Sequence, residues 1–141
     1  MGSYRAEAQI AAPAHRVWNV LVDLDRWPVW TKSVRRMRRL GDGEFGMGSK
    51  VRITQPGLGT ATWVVDEWQP NSSFTWTASL PGVRSVAQHR IVPVAPGRVK
   101  VVLTIQQTGR FADLVERFYG KKIERYMRLE AEGLRRSLEG T

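Results

Sequence analysis

Polar and apolar positions alternate from Tyr4 to Ile10 (YRAEAQI), the period of a strand with one buried face, and Ala11, Ala12 and Pro13 end the run. Proline suits a first helical position. From Ala14 to Val22 the apolar set Val17, Trp18, Val20, Leu21 and Val22 is denser than one stripe, which predicts a short helix buried on much of its surface. In DLDRWPVW, Trp27, Pro28 and Trp30 bring two rings within one turn across a stiff residue, predicting a second short helix or tight bend that closes one end of a core.

Strand patterns then follow one another. Ser33 to Leu40 and Ser49 to Gln55 flank the glycine-rich GDGEFGMG, and Thr60 to Trp68, Ser73 to Ser79, Val83 to Val92 and Arg98 to Gln107 are separated by proline- and glycine-bearing turns. No helix long enough for a crossover lies between them, so the sheet is antiparallel and meandering. Arg35, Arg36, Arg38 and Arg39 charge both faces of the first of these strands. That suits a sheet edge, where charge blocks association, better than nucleic acid, since few aromatics for base stacking lie nearby.

From Arg110 to Glu139 the spacing becomes helical. Phe111, Leu114, Val115, Phe118, Ile123, Tyr126, Met127, Ala131, Leu134 and Leu138 supply the apolar side. Asp113 with Arg117, Glu124 with Arg128 and Glu132 with Arg136 supply a solvated one at i,i+4. Unbroken, this helix would reach about 45 Å and needs a broad partner such as a curved sheet. Gly120 and Gly133 each cost about 1 kcal/mol against alanine; Gly120 marks either a bend over something bound beneath or a close approach of neighbouring backbone.

Alternation also assigns inner faces: Phe74, Trp76 and Ala78; Ser85, Ala87, His89 and Ile91; Val101, Leu103 and Ile105; Val51, Ile53 and Gln55. In TATWVVDEW the two tryptophans have opposite parity; Trp63 and Val65 are taken as inward, with Glu67 as an inner carboxylate. Rings thus mix with small residues and with a few polar groups, His89, Gln55, Glu67 and Tyr126. A filled core avoids so many polar side chains, whereas a small-molecule pocket has this composition.

A chain of 141 residues with 42% hydrophobic residues makes one domain, residues 1–141. It has no cysteine, hence no disulfide or thiolate chemistry. Arg5 and Glu7 stand where a leader needs an apolar run, and no stretch approaches about 18 apolar residues, so a cytoplasmic protein without a transmembrane segment is expected. The net charge of +9 is spread along the chain, and 17 of the 22 basic residues are arginine, a bias that composition produces as readily as function.

The order of elements and the strings IAAPAHRVWNVLVDLDRWPVW, GMGSKVRITQPG, ATWVVDEWQPNSSFTW, LPGVRSVAQHRI and RYMRLEAEGLRRSLE resemble the polyketide cyclase/dehydrase group of the START-like (SRPBCC, Bet v 1-like) superfamily. The resemblance implies an α+β helix-grip fold: a curved antiparallel sheet of about seven strands around a long C-terminal helix, with two short helices between strands 1 and 2. It also implies a deep pocket between sheet and helix for a hydrophobic or amphipathic molecule, lipid- or polyketide-like. The aromatase/cyclases of this group act through an arginine on the strand opened here by ATW. This chain has Glu67 there and no arginine on that strand, so the resemblance speaks for a cavity more than for that activity.

The expected ligand-binding set is Trp27, Trp30, Gln55, Trp63, Glu67, Trp76, His89, Phe111, Phe118 and Tyr126. His89 is the one histidine on an inner face. It serves as a structural or ligand-orienting group, or as the acid/base of a cyclase/dehydratase. His15 is expected at the surface. With two distant histidines and no cysteine, neither a metal nor another cofactor is expected. The remaining alternative is a basic surface that contacts anionic membrane or nucleic acid, with affinity falling steeply with salt.

Overall fold

The computed structural model describes residues 2–140. The first strand, β1 (Gly2–Ile10), leads into α1 (Ala14–Val22), a single 3-10 turn (Leu24–Arg26) and the four-residue α2 (Trp27–Trp30). Six strands follow: β2 (Arg36–Leu40), β3 (Lys50–Gln55), β4 (Gly59–Gln69), β5 (Ser73–Leu80), β6 (Val83–Ala95) and β7 (Arg98–Thr108), and the last element is the long helix α3 (Ala112–Glu139). All seven strands are antiparallel neighbours in the order β1-β7-β6-β5-β4-β3-β2. The meander from β2 to β7 is thus completed by β1, which pairs along β7 from Gly2 opposite Gln107 to Ile10 opposite Val99. This is the helix-grip arrangement, with α3 on the concave face.

Alternation fixes which side chains face α3. On β1 Tyr4, Ala6 and Ile10 are buried while Arg5, Glu7 and Gln9 are exposed. Ser85, Ala87, His89 and Ile91 of β6 and Val51 and Ile53 of β3 are likewise buried. The arginine-bearing β2 is a sheet edge, with Arg36 and Arg38 exposed and Met37 buried between them. Charge on that edge discourages pairing with another chain.

On β4 alternation is broken. Val65 lies opposite Trp76 and Glu67 opposite Thr75, so Asp66 is an extra residue, a β-bulge. The bulge resolves the conflict between the two tryptophans: Trp63 before it and Trp68 after it both pack against inner-face rings, at 6.3 Å from Trp76 and 6.0 Å from Phe74 respectively. The same shift corrects the expectation of an inner carboxylate at Glu67. Its side chain lies on the outer face, where Oε1 accepts hydrogen bonds from Thr75 Oγ1 at 3.0 Å and Gln88 Nε2 at 3.3 Å. Asp66 Oδ2 accepts from Thr77 Oγ1 at 2.7 Å beside it.

The two interior glycines of α3 do different things. An added Cβ at Gly133 would stand 2.0 Å from the Trp30 carbonyl oxygen, so the helix approaches the α2 backbone as only glycine allows. At Gly120 the nearest atom would be the Tyr4 hydroxyl, at an ordinary 3.4 Å. The far end of α3 is tied down by Glu139, whose carboxylate accepts from the Ala11 N–H at 2.9 Å and pairs with Arg135 at 2.9 Å. No helix among the described residues is long and apolar enough to cross a membrane.

Candidate functional site

One end of the space between sheet and α3 is filled by rings. Trp18 from α1 meets Trp68 edge-on at 5.0 Å, Trp27 from α2 lies 5.7 Å from Trp76, and Phe74 lies 5.1 Å from Trp76. Phe45, from the glycine-rich β2–β3 connection, adds edge contacts to Trp68 and Phe74 at 5.2 and 5.8 Å. Offset and edge-on pairs of this kind favour rigid packing beyond area burial alone. Trp27 also donates its indole N–H to the Leu21 carbonyl at 2.9 Å, which locks α2 onto α1.

The other end is hollow. A cavity of about 500 Å³ lies between α3, from Val115 to Glu130, and strands β3 to β7. Its walls include Ile53, Leu58, Trp63, Ala78, Ile105, Ile123 and Met127, with Gln55, Ser85, Gln107, Tyr126 and Glu130 as polar members. Small side chains at Ala61, Ala78 and Ser85 are one physical reason that the space stays open. Leu80 and Tyr119 line it while remaining 56% and 44% exposed, so the cavity reaches the surface between the β5–β6 turn and α3. On the opposite rim the Tyr126 hydroxyl donates to the Pro56 carbonyl and the Lys122 side chain lies over Gly57, which clasps the β3–β4 turn to the helix. A narrower space of about 40 Å³, lined by Trp27, Trp76, His89 and Leu103, adjoins it and shares Gln55, Trp63, Met127 and Glu130 with it.

Among the titratable groups that border these spaces, His89 and Glu130 are perturbed by burial. The His89 ring stacks on Phe74 at 4.3 Å and 12°, with Trp76 and Trp27 edge-on at 5.1 and 5.9 Å. Burial in this cluster pushes its pKa down to about 4, although the hydrogen bond to Phe74 opposes the shift. At neutral pH the ring is therefore uncharged. Its Nδ1 lies 3.3 Å from the Phe74 carbonyl, which can only accept, so Nδ1 carries the proton and Nε2 keeps its lone pair. Glu130 is half-buried, its carboxyl opening onto the cavity with no hydrogen-bond or ion-pair partner among the described residues, and the packed protein around it pushes its carboxyl up to about 8 by desolvation.

The structure gathers Trp27, Gln55, Trp63, Trp76, His89 and Tyr126 of the expected set around the two spaces. It places four others elsewhere. Trp30 packs on Trp27 at 4.8 Å beneath Gly133, Phe111 covers Gly82 of the β5–β6 turn, Phe118 is 68% exposed beside Arg117, and Glu67 is on the outer face. Phe118 is five positions from the buried Ile123, about 140° round the helix, and so lies off the inward stripe. Glu130, seven positions from Ile123, returns to within about 20° of it. Sequence reasoning passed over Glu130, Tyr119 and Gln107. The available signal for Glu130 was an acid on the apolar stripe of an amphipathic helix.

A family model described as "Polyketide cyclase / dehydrase and lipid transport" matches residues 1–139. Among curated proteins none is significantly similar in sequence. Among solved structures, TTHA0849 from Thermus thermophilus superposes with a TM-score of 0.78 at 20% identity, covering 99% of this chain and 98% of that one. A START superfamily protein from Mycobacterium smegmatis gives 0.75 at 16%, with 98% and 97% covered. Norcoclaurine synthase from Thalictrum flavum, in complex with dopamine and hydroxybenzaldehyde, gives 0.74 at 15%, with 99% and 87% covered. At these identities the likeness is one of fold.

Proposed function

The chain belongs to the polyketide cyclase / dehydrase and lipid transport family, and from that premise we propose that it binds a hydrophobic or amphipathic small molecule, lipid- or polyketide-like, in the hollow end of its grip. The observation that carries this reading is the unfilled cavity of about 500 Å³, apolar over most of its wall, beside a ring cluster that fills the rest of the interior. Cavities of about 300–1,000 Å³ with a few convergent polar groups suit drug-sized ligands. A guest that buries about 300 Å² of apolar surface gains about 7 kcal/mol before association costs are met. Trp63 and Ile105 supply flat and branched apolar wall, and Gln55 and Glu130 supply polar contacts.

Acid/base catalysis by His89 is the weaker reading. A base whose pKa is about 4 is far from the operating range for proton abstraction at neutral pH. Moreover, the space that it borders, about 40 Å³, suits a water rather than a substrate. His89 holds the aromatic end together and leaves one acceptor nitrogen.

Ala61→Trp tests the binding reading by placing an indole in the cavity wall. Pyrene, an uncharged hydrocarbon, should bind the parent and quench tryptophan emission, and the variant should lose at least tenfold in affinity with an unchanged far-UV spectrum. Equal pyrene affinity in the two proteins would refute the placement. Native mass spectrometry of protein purified from its own host would reveal the chemical class of any retained guest.

A further inference from the structure

The polar part of the cavity is asymmetric. Among the described residues that line the two spaces, Glu130 is the one carboxyl, and there is no lysine or arginine. The other titratable side chains are His89 on β6 and Tyr119 and Tyr126 on α3, while β3, β4, β5 and β7 contribute none. Tyr126 gives its proton to Pro56, and His89 gives its Nδ1 proton to Phe74. Lys122 lies over the β3–β4 turn, outside the lining. Glu130 is thus a carboxyl without a partner at the junction of both spaces.

We infer that Glu130 is the anchor of the cavity and that it selects an uncharged guest by donating a hydrogen bond to a neutral oxygen acceptor, a ketone, ester or amide carbonyl. This rests on the binding reading above and specifies the ligand class. An unpaired carboxyl on an apolar wall keeps its proton, because an isolated buried charge is far costlier than a neutral acid. In that form it is a donor, and a guest's carbonyl satisfies it without bringing a charge out of water. An anionic guest, such as a fatty-acid carboxylate, finds no cation in the lining. A cationic guest would have to ionise Glu130 and would enter a protein of net charge +9, whose field opposes its approach. The carboxyl, held neutral up to about pH 8, loses its one donor above it, and an acceptor on the guest then faces a negative charge.

The test compares prodan, a neutral naphthyl ketone whose emission shifts to the red when its carbonyl is hydrogen-bonded, with pyrene, which has no acceptor. Prodan should bind at pH 7 with red-shifted emission and lose about tenfold or more in affinity by pH 9.5, while pyrene affinity stays constant across that range. Glu130→Gln keeps a donor and should retain prodan binding without the pH dependence. Glu130→Leu should lose prodan about tenfold and keep pyrene. Parent prodan affinity that does not change with pH, Glu130→Leu that binds prodan as the parent does, or a naphthylalkylammonium that outcompetes prodan would each overturn the assignment and leave the cavity reading intact. If pyrene also fails to bind the parent, the cavity reading falls and this inference falls with it.

Discussion

Glu130 should make the fold less stable as the solution becomes more basic, an effect measurable without any ligand. Its carboxyl has an ordinary value of 4.5 in the unfolded chain and about 8 in the folded one. Below pH 4.5 both states hold the proton and nothing is lost. Between the two values the unfolded chain releases it while the folded chain retains it, so stability falls with rising pH by about 1.4 kcal/mol per unit. At pH 7 the accumulated loss is at most about 3 kcal/mol, and it levels off above pH 8 at no more than about 5 kcal/mol, because the half-buried carboxyl keeps some contact with water through the cavity. Those are large fractions of the roughly 5–15 kcal/mol that holds a domain folded. Glu130→Gln keeps the shape and removes the titration. Because the buried amide has a desolvation cost of its own, the decisive quantity is the change in the stability difference between variant and parent, not its value at one pH. Urea denaturation at pH 4.5, 6, 7 and 8 should show the variant gaining on the parent by up to about 3 kcal/mol between pH 4.5 and 7. A difference that stays constant over this range would mean that Glu130 is solvated and that the argument from its burial fails.

Two other substitutions probe the ring-filled end and the helix. His89 has its pKa depressed from 6.5 to about 4, so the parent should lose stability as the pH falls through that window, by about 3 kcal/mol in all, while His89→Phe, stacked on Phe74, should show no such loss. Parallel acid-denaturation curves for the two proteins would count against a buried neutral imidazole. Gly133→Ala, whose methyl would meet the Trp30 carbonyl at 2.0 Å, should destabilise by about 1–3 kcal/mol, whereas Gly120→Ala, with 3.4 Å of room, should stabilise by up to about 1 kcal/mol through helix propensity. Thermal melts in which the two glycine variants move in the same direction would contradict the described packing of α3.

The element order and most inward faces were legible because period-two alternation is an explicit record of burial on one side of a sheet. Tyr4, Ala6 and Ile10 on β1 and Ser85, Ala87, His89 and Ile91 on β6 all follow it. The arginines of β2 pointed to an edge, since charge on both faces is tolerable only where one side meets water. Glu67 was misplaced because a single extra residue resets parity partway along a strand, and the only trace in the sequence is that Trp63 and Trp68 both need to be inward. Phe118 was misplaced because the apolar residues of the last helix span more than one stripe, so that apolarity alone does not say which ring faces the sheet, and Phe111 because the helix begins one residue after it. The boundary between filled and hollow interior was beyond reach for a different reason. It depends on rings that converge from α1, α2, the β2–β3 connection and the sheet, and no periodicity within one element encodes that convergence.

The bulge at Asp66 has a consequence for how this chain tolerates change. It is a half-step in the rhythm of β4, and it lets one strand furnish an indole to the vacant compartment at Trp63 and another to the solid one at Trp68. Were the same residues to pair in an unbroken ladder, the two indoles would part company: one would turn into water, and Glu67 would swing toward grease; deleting Asp66 itself restores plain alternation and leaves both indoles inward. The room available to a guest therefore depends on β4 looping out its one surplus residue at the surface, far from where the guest would lie.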